Sequence, residues 1–184
     1  MTDPGRSGGD PSDVVLIAQW KAGDQQAASE LVHRHASALA RFAASCGARE
    51  DIDELVQDTF VRAFGSLDGF RGESSFRTWL FTIERRLLMD RRRAERRRPK
   101  GTEIGEADAA TGYDSLDEMV ADEAQARVRT AIDRLTPTQR EVFVLRVNEG
   151  LSYKELDATV NTTEGAARVH YHNAMRAVKE WLDA

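Results

Sequence analysis

The chain has 184 residues, 41% of them apolar and 31% charged, with 26 Lys+Arg against 31 Asp+Glu and a net charge of -5. That apolar content is enough for packed cores, and no run approaches the ~18 apolar residues of a membrane span, so neither a disordered nor a membrane-spanning chain is expected. The start lacks the basic-then-apolar order of a signal peptide, which predicts a cytoplasmic protein, and the one cysteine, Cys46, excludes an intramolecular disulfide and a Cys-rich zinc site.

Residues 1–11 are rich in Gly, Pro, Ser and Asp, lack apolar periodicity, and read as a disordered leader. From Val14 to Cys46 apolar residues recur at helical spacing with a break at Gly23-Asp24, which predicts two helices. Asp51 followed by Glu54 has capping-box spacing, and Ile52, Leu55, Phe60 and Ala63 trace one face of a third helix ending at Gly65. After a loop from Leu67 to Gly72, Ser74 or Ser75 is placed to cap a long fourth helix. This helix runs from Phe76 to about Arg98, where Pro99 stops it. These four helices make one compact unit over residues 12–98. Residues 99–126 are too polar to form a core and read as a tether, although Leu116 to Val120 could begin a helix.

The last segment, 127–184, is the best punctuated. Thr136, Pro137 and Gln139 supply a cap, a proline at the first helical position and the partner of a capping box. The helix that follows runs to Gly150. Ser152 and Glu155 form a second capping box, with Leu151 and Leu156 as its hydrophobic staple. Asn161 suits a left-handed turn, and Thr162 is placed to cap a last helix reaching about Leu182. A short helix, a tight turn and a longer helix predict a helix-turn-helix. With no strand signals, the expected architecture is all-α, two small helical domains joined by an acidic linker.

The net charge conceals opposed parts. Residues 85–100 carry nine basic and two acidic side chains, whereas residues 101–126 carry eight acids and no base. Without 101–126 the remainder is +3. The acidity therefore resides in the tether, and a polyanionic ligand for the flanking units is not excluded.

In a helix-turn-helix the second helix enters the DNA major groove. Thr162, Thr163, Glu164, Arg168, His170, Tyr171, His172 and Arg176 are the candidate contacts, and the Arg168 fork suits one guanine. Two capped helices that merely pack on each other would have the same pattern. Phe70, Arg71, Ser74, Ser75, Phe76 and Trp79 combine aromatic faces with small polar and cationic groups, as a reader of single strands does. Phe76 and Trp79 also fit a core stripe. Arg86, Arg92 and Arg93 lie in a cationic tract suited to phosphate or to solvent. On the third helix Asp53, Glu54, Gln57, Asp58 and Val61 fall opposite the apolar stripe, a face for a protein partner or for water. His33/His35 and His170/His172 are at i,i+2 and point apart, and there is no phosphate loop, nucleophile elbow or Cys/His dyad. No enzymatic activity, cofactor or metal is expected.

Three blocks resemble a known family: DIDELVQDTFVRAF (51–64), FRGESSFRTWLFTIERRLLMDRRRAERRR (70–98) and LTPTQREVFVLRVNEGLSYKEL (135–156). In content and order they are similar to the bacterial sigma-70 family, specifically its extracytoplasmic-function (ECF) sigma factors. The resemblance implies a factor that binds core RNA polymerase and carries it to promoter DNA. It implies that the helix at 51–64 docks on the polymerase clamp through Asp53, Glu54, Gln57, Asp58 and Val61. The loop and helix at 66–86 would open the -10 element, and the helix-turn-helix would read the -35 element. An anti-sigma factor is implied as a further partner. The chain departs from the family's usual pattern at Arg86, Asp157, Thr159, Val169 and His170, which implies promoter elements other than the commonest.

Overall fold

The computed structural model describes residues 11–48, 51–97 and 126–183. The leader, the linker with its suggested helix start at Leu116, and the stop at Pro99 lie outside these. Among the described residues every regular element is helical. In chain order these are α1 (Asp13–Lys21), α2 (Gln25–Ser45), α3 (Ile52–Gly65), a single 3-10 turn (Leu67–Gly69), α4 (Phe76–Arg97), α5 (126–133), α6 (Pro137–Val147), α7 (Tyr153–Val160) and α8 (Glu164–Leu182).

The break between α1 and α2 is local chemistry. Gly23 takes a positive φ of 99°, and the Asp24 side chain accepts the Gln26 N–H at 2.9 Å. Asp13, in the first turn of α1, then ties to α2. Its carboxylate lies 2.8 Å from His35 Nε2 and 3.4 Å from Arg34 Nη1. Burial lowers the His35 pKa and outweighs the opposing pull of Asp13.

Helices α2, α3 and α4 enclose Leu31, Leu39, Phe42, Leu55, Leu80 and Phe81, all buried, with Phe42 and Phe81 edge to face at 5.5 Å. Ser75 caps α4: its hydroxyl accepts the Thr78 N–H at 3.0 Å. The capping box expected at Asp51 does not form. Asp51 takes a left-handed φ of 58° and makes no side-chain cap. Glu54 faces Arg91 on α4 at 3.6 Å instead of turning back on its own helix.

In the second unit both remaining capping boxes are present. Gln139 N–H donates to Thr136 Oγ1 and Glu155 N–H to Ser152 Oγ, each box closed by the reciprocal bond. Leu151 and Leu156 are buried as the staple requires. Asn161 holds the turn at φ 54°. The cap of α8 is Thr163, one residue later than Thr162, because the left-handed Asn161 delays the entry of the chain into the helix; Thr163 Oγ1 accepts the Ala166 N–H at 3.2 Å. Helix α5, which the sequence pattern did not set apart, adds Ala131 to the core, and Leu135 follows in the turn before α6. Ser152→Ala is expected to lower stability by about 1 kcal/mol, read as a fall in the denaturant midpoint at unchanged slope.

The two groups of helices touch: α7 packs along α4, and α6 against α2. Cys46, at the C-terminus of α2, lies beneath this seam. Its carbonyl accepts from Arg92, and burial followed by the nearby Glu141 pushes its thiol up to about 12. The thiol is therefore protonated and unreactive in the folded chain.

Candidate nucleic-acid and polymerase interfaces

The recognition-helix candidates sit around the N-terminal half of α8. Thr163, Glu164, Arg168 and His172 are exposed, as is Arg176 a turn further on; Thr162, His170 and Tyr171 are half-buried. Ala167, Ala174 and Val178 point inward and fix which face looks out. Arg168 is held on both sides. Its guanidinium lies 2.6 Å from Glu164 Oε1 and 4.4 Å above the Tyr153 ring. Tyr153 in turn meets Tyr171 edge to face at 6.1 Å and carries Arg146 at 4.9 Å on its ring. The first helix of the motif thus presents an aromatic platform that orients an arginine of the second. Tyr153 was not among the sequence candidates; an aromatic at the first position of a capped helix was its only sequence signal.

Around the start of α4 three aromatics form one cluster. Phe70 lies 5.1 Å from Trp79 and 5.7 Å from Phe76, and Phe76 lies 5.8 Å from Trp79. Phe76 is buried at 3% exposure, so it supports the cluster from below and is not itself an accessible contact. Phe70, Ser74 and Trp79 are half-buried, and Arg71 and Ser75 are exposed beside them. Further along α4, Arg86 and Arg93 are exposed, Arg93 lying 3.6 Å from Asp90. Arg92 is turned inward, bonded to the Cys46 carbonyl and 3.8 Å from Glu141.

On α3, Asp53, Glu54, Gln57 and Val61 are exposed, Val61 at 64%, while Leu55, Thr59, Phe60 and Ala63 face the core. Asp58 is half-buried because Arg91 of α4 donates to it at 3.0 Å. The polar stripe with one large aliphatic residue is therefore a continuous outward face, backed by an ion pair that fixes α3 on α4.

Among the described residues no cluster of His, Cys, Asp or Glu is arranged to hold a metal ion, and no helix is long and apolar enough to cross a membrane. One buried titratable group stands apart. Glu84 on α4 is wholly buried, and neither carboxyl oxygen has a hydrogen-bond partner. Burial, with the charge of Glu149 second, pushes its pKa up to about 9.

Comparison with known proteins agrees with this geometry. Residues 19–98 match the family model for sigma-70 region 2, and residues 125–178 that for sigma-70 region 4. RNA polymerase sigma factor CnrH of Cupriavidus metallidurans is 36% identical over 182 residues, covering 94% of this chain and 95% of CnrH. The ECF RNA polymerase sigma-E factor of Escherichia coli is 31% identical over 180 residues, covering 91% and 92%. Among solved structures, CnrH in complex with the cytosolic domain of CnrY superposes with a TM-score of 0.70 at 33% identity, over 94% of this chain and 98% of that one. Sigma factor RpoE in complex with the anti-sigma factor NepR from Bartonella quintana gives 0.70 at 27% identity, over 85% and 96%. The aromatic-cationic face of α4 and the capped helix-turn-helix fall within the two matched regions, and the chain belongs to the sigma-70 family as an ECF RNA polymerase sigma factor, a transcription initiation factor.

Proposed function

We propose that the two halves of the chain divide the work of initiation, residues 12–98 binding core polymerase and the -10 element and residues 127–184 binding the -35 element, with 99–126 as the tether. The observation that carries this is the outward face of α8. In a doubly capped helix-turn-helix, Arg168 stands exposed over Tyr153 beside Thr163, and its fork, paired with Glu164 in the absence of DNA, exchanges that carboxylate for two acceptors of one base. In the loop before α4 and along α4, Phe70 and Trp79 with Arg71, Ser74, Ser75 and Arg86 hold an unpaired base of the -10 strand, and Arg93 meets phosphate. Phe76 contributes from beneath. In the turn before α8 and along it, Thr162, Thr163, His170, Tyr171, His172 and Arg176 complete the contacts of Arg168 with bases and phosphates. The chain has no enzymatic activity of its own, works in the cytoplasm and is restrained by an anti-sigma factor; two of the similar structures are complexes with CnrY and with the anti-sigma factor NepR.

The face formed by Asp53, Glu54, Gln57, Asp58 and Val61 docks on core polymerase. Because buried anchors dominate interface energy and Val61 is the large aliphatic residue of this face, Val61→Asp is expected to weaken binding to core polymerase by about tenfold or more. Co-elution with core enzyme, together with unchanged helix content, checks it. Wild-type affinity in that variant excludes α3 as the docking face.

A further inference from the structure

Four arginines of the first unit, Arg41 on α2 and Arg77, Arg85 and Arg92 on α4, are met in this structure by carboxylates of the second unit. The Glu149 carboxylate is fully buried between Arg41, at 3.4 Å, and Arg77, which donates to it directly. Glu141, 3% exposed, accepts from Arg85 Nε at 2.7 Å and faces Arg92 Nη1 at 3.8 Å. Beside them Thr78 donates its hydroxyl to Glu155 Oε1 at 2.9 Å. These acids come from α6, the turn after it and α7, and they lie along the same helix as Phe70's partner Trp79 and the cationic tract. Two carboxylates are thus carried out of water, a placement that persists only where cations pair with them.

We propose that this seam is an autoinhibitory latch in which Glu141 and Glu149 occupy a binding site for the phosphodiester backbone of single-stranded DNA. Arginine forks take carboxylate and phosphate oxygens in the same geometry, so the cations that hold the acids here are equipped to hold phosphates when the units part. The two states exclude each other, because α7 packs along α4 and the Arg77 and Arg85 guanidinium groups are already taken by Glu149 and Glu141. Closure therefore lowers the apparent DNA affinity by the fraction of chains that are closed. The inference rests on the reading of α4 as a nucleic-acid face.

The test uses the full chain carrying Cys46→Ala, with spin labels at Arg62→Cys on α3 and Lys179→Cys on α8, both exposed. Adding Glu141→Gln and Glu149→Gln should lengthen and broaden the label separation. It should also raise affinity for a fluorescein-labelled single-stranded DNA of mixed sequence by about tenfold or more. Arg77→Ala with Arg85→Ala should open the chain in the same way yet gain no affinity, since the site itself is lost. An unchanged separation in the glutamine variant overturns the latch, and opening without a gain in affinity overturns the phosphate site. Circular dichroism of each variant verifies the fold, and Glu149→Gln alone is the milder form of the same test. Promoter-directed transcription by the wild-type chain with core polymerase is scored in parallel. Its success beside an unchanged separation sinks this inference alone, and its failure sinks the functional reading on which the inference rests.

Discussion

Glu84→Met is expected to raise thermal stability at pH 8 and to flatten the dependence of stability on pH. The wild-type carboxyl is wholly buried without a hydrogen-bond partner, faces Glu149 from the second unit and shares the seam with the Cys46 thiol. Its pKa rises from an ordinary 4.5 to about 9, so folding takes up a proton between those limits. The sign follows from linkage: stability is greatest below about 4.5 and declines as pH rises toward 9, because the unfolded chain releases a proton that the folded chain must keep. Each tenfold difference in proton affinity between the folded and unfolded chain is worth about 1.4 kcal/mol, so at pH 8 the penalty is a few kcal/mol. Methionine fills similar volume without the charge. A gain of about 3 kcal/mol would raise the melting temperature by roughly 5–10 °C. Glu84→Gln, which cannot titrate, should flatten the pH profile equally. A methionine variant less stable than wild type at pH 8, with the pH slope retained, would show that Glu84 is held as a paired anion.

Arg168→Ala is expected to lower affinity for the -35 element by about 10–200-fold and to relax preference at one base pair. The arginine is placed by Tyr153 and Glu164 before any ligand arrives, so little ordering cost is left to set against the bidentate bond, worth about 1–3 kcal/mol of discrimination. Arg176→Ala, two turns further along α8, should weaken binding evenly across sequences and reduce its salt dependence. Competition among promoter fragments varied at single -35 positions distinguishes the two. Equal loss on every fragment for Arg168→Ala would make it a phosphate contact only.

The helix-turn-helix was legible in the sequence because its signals are local. Thr136 with Gln139, Ser152 with Glu155, and Asn161 each act within four residues, and each takes the conformation its chemistry favours. Asp51 with Glu54 carried the same spacing and failed because Asp51 takes a left-handed φ of 58° in place of the extended backbone of a cap, and Glu54 lies instead beside Arg91, 37 positions away. The aromatic cluster of Phe70, Phe76 and Trp79 was visible as composition, but which ring lies beneath is decided by packing. The seam between the units left no sequence trace. Glu149 and Arg77 are 72 residues apart, and each looks like an ordinary surface charge until the other is beside it. Glu84 did leave a signal: it interrupts the apolar stripe of Leu80, Phe81, Leu87 and Leu88 at helical spacing, which marks a carboxyl carried into a core.

The chain is an ECF RNA polymerase sigma factor, for which we propose DNA-facing surfaces on both small helical units. The measurement that bears most directly on this is the mapping of transcript 5′ ends made by core polymerase on genomic DNA of the source organism, with and without the purified chain. The expected result is a set of start sites used only when the chain is present and reduced by both Arg168→Ala and Val61→Asp. Identical start sites with and without the chain would contradict it.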